Sequence, residues 1–582
     1  MIKVEKLTYS FPEKDLYKDI SFTIEDGQHC AFIGSNGTGK STLVNMIMDT
    51  DKYMYDGKIE KTEDCKIGYV SQFTKADKNQ EKTVFAYLSE PFVELQRESE
   101  ELCAEMAVAE DLDEVFARYQ KVLDEIDSVD GNNYESNIRK QLKLAGLSQV
   151  EELELSKLSG GEFKLLQVVK EMLLLPTMLI MDEPDVFLDF ENLNGLCELI
   201  NSYKGTILVI THNRYLLQHC FNKILHLENN DIQEFDGGYV DYNFSLLQKK
   251  IELQELNAAD EEEIERYRKM VDRLRQEATL MTSVNRGKAV HAKASQLARL
   301  EARKIKAPFV DIRQPEIKFP EVEEQDKEKN ILNVSGYQLE FEDLLLENVE
   351  FALNAGEKVA IVGSNGTGKT TLLREIYKNS NPAIQIAEGT EVGFLSQIHG
   401  EMLNEENTVY DEFFELGFEK KSDIVEYLEK YCFEVDTLEN KISMLSGGEK
   451  TLLQLAKLAI GNAELILLDE PTSHLDTYSQ IVLEQAISDY KGAVLMVSHD
   501  FYSIVNCVDY ILYVEDKTIR RMRVRSFRKK IYQNHFDKDY LELEQKKKEL
   551  ETRISLCLKE SDFQTAKKVC EQLEEVIAKM IR

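Results

Sequence analysis

The chain has 582 residues, a net charge of −35 and nine scattered cysteines with no Cys-x-x-Cys pair. The length exceeds one hydrophobic core and suits two domains with appendages. The acidity argues against a general nucleic-acid binder, and the cysteine pattern argues against a zinc or iron–sulfur site and for a reducing compartment. Apolar runs reach about ten residues where a membrane-spanning helix needs about 20, and the start, Met1-Ile2-Lys3-Val4-Glu5, shows no apolar signal region. A soluble, cytoplasmic protein is expected.

In chain order, β-rich stretches at 20–24 and 29–33 lead into Gly34-Ser35-Asn36-Gly37-Thr38-Gly39-Lys40-Ser41-Thr42, and a helical pattern follows over 41–48. Residues 91–131 carry helix formers with apolar positions at helical spacing (Leu95, Leu102, Met106; Val115, Tyr119, Val122, Ile126). They read as a helical hairpin turning near 110–113. Leu158-Ser159-Gly160-Gly161-Glu162, Asp182-Glu183-Pro184 and His212 complete a first domain over 1–241. A charged helix is expected over 242–280, broken at Asn285-Arg286-Gly287 and followed by a basic helix over 288–306. Pro308, Pro315 and Pro320 mark an extended end to this linker, which runs to 329.

The second domain, 330–517, repeats the first: Gly363-Ser364-Asn365-Gly366-Thr367-Gly368-Lys369-Thr370-Thr371, Leu445-Ser446-Gly447-Gly448-Glu449, Asp469-Glu470-Pro471 and His499. Ser159 to Ser446, Glu183 to Glu470 and His212 to His499 are each offset by 287 residues, which chance does not supply. Stretches 384–393 and 493–498 read as buried strands. Strand–helix alternation in both repeats gives an α/β class with parallel sheets. Residues 518–582 form a basic stretch and two helices broken near Ser561-Asp562. Their apolar stripes (Leu541, Leu543, Leu550, Ile554; Val569, Leu573, Val576, Ile577) fit a hairpin.

The glycine-rich loops suit phosphate, because backbone N–H groups and a helix N-terminus cradle its oxygens. Lys40 and Lys369 would reach the β- and γ-phosphates of ATP, and the Ser41 and Thr370 hydroxyls would hold Mg²⁺. Asp182 and Asp469 end apolar runs and would support Mg²⁺ through its water shell. Glu183 and Glu470 could polarise the attacking water as general bases. His212 and His499 could contact the γ-phosphate, and Gln72 and Gln397 could sense Mg²⁺ and the water.

Leu-Ser-Gly-Gly-Glu ahead of Asp-Glu-Pro is the signature of ATP-binding cassette proteins. Twin cassettes, a hairpin insertion in the first, a long charged linker and Gly237-Gly238-Tyr239-Val240-Asp241-Tyr242 before it resemble the F family of ribosome-associated translation factors and antibiotic-resistance proteins. The resemblance covers nearly the whole chain. It implies two P-loop ATP-binding cassette domains in tandem with a helical-hairpin arm insertion, a long helical interdomain linker and a C-terminal helical hairpin. It further implies a monomer whose cassettes close head to tail. Lys40 would then share one ATP with Ser446, Gly447 and Gly448, and Lys369 the other with Ser159, Gly160 and Gly161. Phe11 would stack on adenine in the first site, and Phe341 or Tyr337 in the second.

By the same resemblance, the partner is the ribosome. The closed form sits in its exit site, the linker points to P-site tRNA and the peptidyl-transferase centre in large-subunit rRNA, the arm meets the L1 stalk, and hydrolysis releases the factor. Arg286, Lys288 and Lys293 in the basic linker tip match an RNA contact. The first cassette departs from the family pattern at Asp185-Val186-Phe187-Leu188-Asp189, where the second has Thr472-Ser473-His474-Leu475-Asp476, so unequal sites are expected. A translation factor is favoured. The alternatives are a ribosomal-protection resistance protein and, more remotely, a twin ATPase subunit of a membrane transporter. The long basic linker speaks against the latter and against a stable membrane subunit.

Overall fold

In a computed structural model the described residues are 1–580 except 12–14, 63–64, 73–80, 108–111, 187, 281–311, 323–327, 342 and 532–537, with backbone alone at 257–265, 267, 272, 274–280 and 538–542. The linker tip, with Arg286, Lys288 and Lys293, and the basic helix expected over 288–306 lie outside the described residues. The chain divides into two compact units, Met1–Phe235 with Arg313–Ile531, and Asp236–Ile312 with Tyr532–Arg582.

The first unit holds both repeats, and each builds the same pair of sheets. In the first, the strands Ile67–Val70, Met178–Asp182, Thr206–Ile210, His29–Ile33 and Lys223–Glu228 lie side by side and parallel, with Asp231–Asp236 outermost. The second repeats that order with Val392–Leu395, Leu465–Asp469, Ala493–Val497, Lys358–Val362, Tyr510–Glu515 and Thr518–Arg523. Central strands such as Met178–Asp182 and Leu465–Asp469 are buried along their whole length, as covered parallel strands require. A three-stranded antiparallel sheet accompanies each: Asp15–Ile24, Ile2–Ser10 and Asp56–Lys61 in the first repeat.

Two boundaries differ from expectation. Residues 384–393 are not one strand. Ile384–Ile386 joins the antiparallel sheet through Val334 and Leu332, and Val392–Leu395 joins the parallel one. Gly389, at φ +83°, turns the chain between them. The second repeat's sheet also runs past residue 517, because Thr518–Arg523 pairs antiparallel with Tyr510–Glu515.

The arm consists of Val84–Met106 and Leu112–Ser128. Leu102, Val115, Val122 and Ile126 are buried between them, with Leu95, Met106 and Tyr119 packed alongside. The first helix starts earlier than residue 91, at Val84, with Thr83 Oγ1 accepting from Ala86 N at 3.2 Å, and it runs through Pro91.

The second unit contains the 42-residue helix Tyr239–Leu280, about 63 Å long at ~1.5 Å per residue. It also holds the hairpin Lys538–Lys559 and Phe563–Met580. Leu550, Ile554, Val569, Leu573, Val576 and Ile577 form its core, and Val240, Phe244, Leu247 and Ile251 of the long helix pack on that core. Lys567 pairs with Glu255 across this contact.

Candidate functional site: two composite phosphate sites

Each phosphate loop joins a buried parallel strand to a helix, Lys40–Met48 or Lys369–Lys378. Gly34 cannot be replaced without disruption: at φ +151° a Cβ would lie 2.1 Å from the Leu227 carbonyl oxygen. Lys40 Nζ donates to the Gly34 and Ser35 carbonyls at 2.8 and 3.0 Å, and Lys369 Nζ to those of Gly363 and Ser364 at 2.8 and 2.7 Å. Burial lowers both lysine pKa values while neighbouring carboxylates oppose that shift. Each ammonium is thus held at its loop, poorly hydrated and suited to a phosphate.

Ser41 hydrogen-bonds Asp182, and Thr370 Oγ1 donates to Asp469 Oδ1 at 2.9 Å. One oxygen of each carboxylate, Asp182 Oδ1 and Asp469 Oδ2, is buried without a hydrogen-bond partner among the described residues. A hydroxyl beside such a carboxylate fits Mg²⁺, a hard cation that takes oxygen ligands and keeps several waters.

Glu183 and Glu470 sit at the next position in left-handed backbone, φ 45° and 48°, a strained conformation for residues with a side chain. Gln72 Nε2 donates to Glu183 Oε2, and His499 N donates to Glu470 Oε2 at 3.2 Å. His212 Nε2 and His499 Nδ1 are buried without a hydrogen-bond partner among the described residues. Burial first, then the neighbouring lysine, holds both imidazoles neutral; the pKa of His499 falls to about 3.

Burial, with repulsion from Asp185 and Asp182, raises Glu183 from 4.5 to about 7. In nucleotide-free protein the fold keeps this proton after the unfolded chain has released it, so folding stability falls as pH climbs from 4.5 towards 7. Glu183→Gln removes the penalty. Its melting temperature relative to the parent should rise between about pH 4.5 and about pH 7 and level off above; a gap that stays constant over that range would show that folding does not raise the Glu183 pKa.

The two repeats complete each other's sites. Asn36 N donates to Asp476 Oδ2 at 3.3 Å and Asn36 Nδ2 to the His474 carbonyl at 2.7 Å. A Cβ on Gly448 would lie 2.1 Å from Asn36 Nδ2, so the Lys40 loop abuts the Ser446-Gly447-Gly448 turn. In the other site Asn365 N donates to Asp189 Oδ2 at 3.0 Å. There a cavity of about 570 Å³ is lined by Ser159, Gly160 and Gly161 on one side and Lys369, Thr370 and Thr371 on the other, with Gln397, Glu470 and His499 between. Ser159 and Ser446 each cap a helix, Gly160–Leu173 and Gly447–Ile460, through a reciprocal bond with Glu162 or Glu449. The positive helix ends therefore face the opposite phosphate loops.

Phe11 is 46% exposed and Phe341 65% exposed, both just past the first strand of their repeat, whereas Tyr337 is fully buried in the core. Of the two aromatic residues considered for the second adenine, only Phe341 is accessible.

The departing loop of the first repeat is tightly held. Asp185 accepts from Thr211 Oγ1 at 2.6 Å, and burial raises its pKa to about 6. Lys164, lowered by burial to about 8, donates to the carbonyls of Ser71 and Gln72. The second repeat has Thr472 and Thr451 at these positions, so Lys164 and Asp185, each favouring the other's charged form, distinguish the first site. Phe187 lies outside the described residues. Sequence reasoning flagged Asp185 and missed Lys164, which is visible as a lysine on an otherwise apolar helix face. It also missed Arg214, which bonds Glu484 and Asp500 of the other repeat; the signal is an arginine where the second repeat has Phe501.

Two phosphate loops, each closed by the signature turn of the opposite repeat within one chain, define a twin-cassette ATPase. The family model described as ABC transporter matches residues 17–186 and 346–473. ABC transporter F family member 2 of Arabidopsis thaliana is 30% identical over 534 residues, covering 88% of this chain and 76% of that protein. The energy-dependent translational throttle protein EttA of Escherichia coli K12 is 28% identical over 520 residues, covering 87% and 90%. The crystal structure of archaeal ribosome recycling factor aABCE1 with a ribosomal stalk protein shares the fold at TM-score 0.52 and 17% identity, covering 90% of this chain and 91% of that one. The chain belongs to the F family of ATP-binding cassette proteins. Among the described residues no helix is long and apolar enough to cross a membrane.

Proposed function

We propose that this chain is a cytoplasmic, ribosome-binding ATPase that acts as a translation factor. The observation that carries the reading is the reciprocal closure of both phosphate sites inside one chain, Asn36 on Asp476 and Asn365 on Asp189, which supports a monomer that needs no second cassette subunit. The likeness to a protein named as an energy-dependent translational throttle supports translation as the process.

In this reading Lys40 and Lys369 bind the ATP phosphates, and Ser41, Asp182 and Gln72, with Thr370, Asp469 and Gln397, hold Mg²⁺ and its waters. The ion would neutralise phosphate charge. Glu183 and Glu470 take the proton of the attacking water, and His212 and His499, neutral and buried, donate to the γ-phosphate. ATP holds the cassettes closed in the ribosomal exit site. The linker reaches towards P-site tRNA and the peptidyl-transferase centre, the arm towards the L1 stalk, and hydrolysis releases the protein.

Reversing Arg286, Lys288 and Lys293 to Glu tests the ribosomal half of this reading. Co-sedimentation with ribosomes should fall about tenfold or more, as expected when several phosphate contacts are replaced by repulsion, while ribosome-free ATPase activity stays within about twofold. Equal loss of ATPase activity in the free protein would make the linker tip a structural element of the cassettes.

A further inference from the structure

Residues 517–530 carry eight basic side chains and no acid, in a chain of net charge −35. Three of them lie on the outermost strand of the second repeat's sheet, Thr518–Arg523, four on the helix Val524–Ile531, and Lys517 just ahead of the strand. Arg520, Arg521, Arg523, Arg525 and Lys529 are exposed. The Arg521 guanidinium lies 3.6 Å from the Tyr510 ring centroid, and Lys530 pairs with Glu515 at 2.6 Å.

Phe527, on the same short helix, points the other way and is fully buried. It meets Phe190 edge-on at 5.5 Å and stacks on Phe501 at 6.1 Å. Phe190 in turn meets the His499 ring at 5.9 Å. Phe190 also directly follows Asp189, whose carboxylate accepts the bond from Asn365 in the second phosphate loop.

We propose that the strand Thr518–Arg523 and the helix Val524–Ile531 form an RNA-phosphate contact surface, and that Phe527 couples its occupancy to the second ATP site through Phe190 and His499. The proposal rests on the ribosomal reading above and adds to it a contact and a route to the catalytic groups. Charged residues on an edge strand also discourage strand pairing, but that does not account for Arg525, Arg528 and Lys529 on the helix that follows. An anionic membrane is disfavoured, because the helix turns Phe527 into the protein and its other apolar side chains, Val524 and Ile531, are half-buried, which leaves no exposed apolar side chain on the helix to insert. Arginine dominates the run, and its planar fork suits phosphate oxygens.

Phe527 is a positioning residue. A phosphate backbone seated on Arg523, Arg525 and Lys529 fixes the helix that carries it. That fixes Phe190 beside the loop bonded to Asn365 and the ring against His499.

The test compares the parent, Arg520→Glu/Arg523→Glu/Arg525→Glu and Phe527→Leu, each checked by thermal melting. It reads ribosome co-sedimentation, binding to protein-stripped ribosomal RNA, and stimulation, the ratio of ATPase rates with and without ribosomes. The triple variant should lose about tenfold or more in both binding assays and lose stimulation, with its ribosome-free rate within about twofold of the parent. Phe527→Leu should sediment within about twofold of the parent while its stimulation falls about fivefold or more.

A triple variant that sediments and is stimulated like the parent overturns the surface, and parent-like stimulation in Phe527→Leu overturns the coupling. Lost sedimentation with unchanged binding to stripped RNA would make the partner a ribosomal protein and overturn the RNA assignment. A parent that does not sediment at all overturns the ribosomal reading and this surface with it.

Discussion

Glu183→Gln/Glu470→Gln should lose at least about 100-fold in ATP hydrolysis, within the range that a positioned general base contributes, about 2.7 kcal/mol or more in barrier. ATP binding should stay within a few fold. Glutamine matches glutamate in size and can occupy the same strained backbone at φ 45° and 48°, but it cannot take a proton from water. The phosphate-binding parts are separate: Lys40 and Lys369 are anchored on their own loop carbonyls, and Ser41 and Thr370 on Asp182 and Asp469. Phosphate release and equilibrium ATP binding measured on the same preparation check both halves. A double variant that hydrolyses within tenfold of the parent would remove Glu183 and Glu470 from the chemistry.

Arg214→Ala should destabilise the protein by about 3–5 kcal/mol, the cost of breaking a buried ion pair by removing one partner. Arg214 comes from the first repeat, two residues past His212. Its guanidinium donates to Glu484 and, at 3.0 Å, to Asp500 of the second repeat, and it lies over the Tyr502 ring at 5.0 Å. Arg214 and Glu484 are each 8% exposed, so truncation leaves a carboxylate in a poorly solvated seam. Glu484→Gln keeps an acceptor for the guanidinium and should cost less. Chemical denaturation monitored by circular dichroism measures both; a loss below about 1 kcal/mol for Arg214→Ala would place the pair in well-solvated surroundings.

Much of the site was legible because phosphate loops are local. Gly34 to Ser41 and Gly363 to Thr370 encode their backbone path, helix start and lysine in consecutive residues, and the constant offset between repeats lifted Glu183, Glu470, His212 and His499 above ordinary buried polar residues. The arm was readable for a similar reason: an apolar stripe at helical spacing in a stretch that one repeat has and the other lacks.

The features that stayed hidden are tertiary. The stretch 384–393 divides between two sheets at Gly389 because its halves find different partners, Leu332 and Leu465, and periodicity does not name partners. The packing of Val240, Phe244, Leu247 and Ile251 onto the C-terminal hairpin joins segments about 300 residues apart in sequence. The settings of Lys164 and Arg214 are contacts between distant parts of the chain: Lys164 lies against Ser71 and Gln72, and Arg214 lies in the seam between repeats.

The central claim is an ATP-closed protein that binds the ribosome, and co-sedimentation of Glu183→Gln/Glu470→Gln with 70S ribosomes tests it most directly. With ATP present, the double variant should pellet with ribosomes at least about tenfold more than the parent, because it binds nucleotide and cannot pass to the released state; without ATP it should remain in the supernatant. Pelleting equal to the parent's, with ATP binding intact, would contradict the claim.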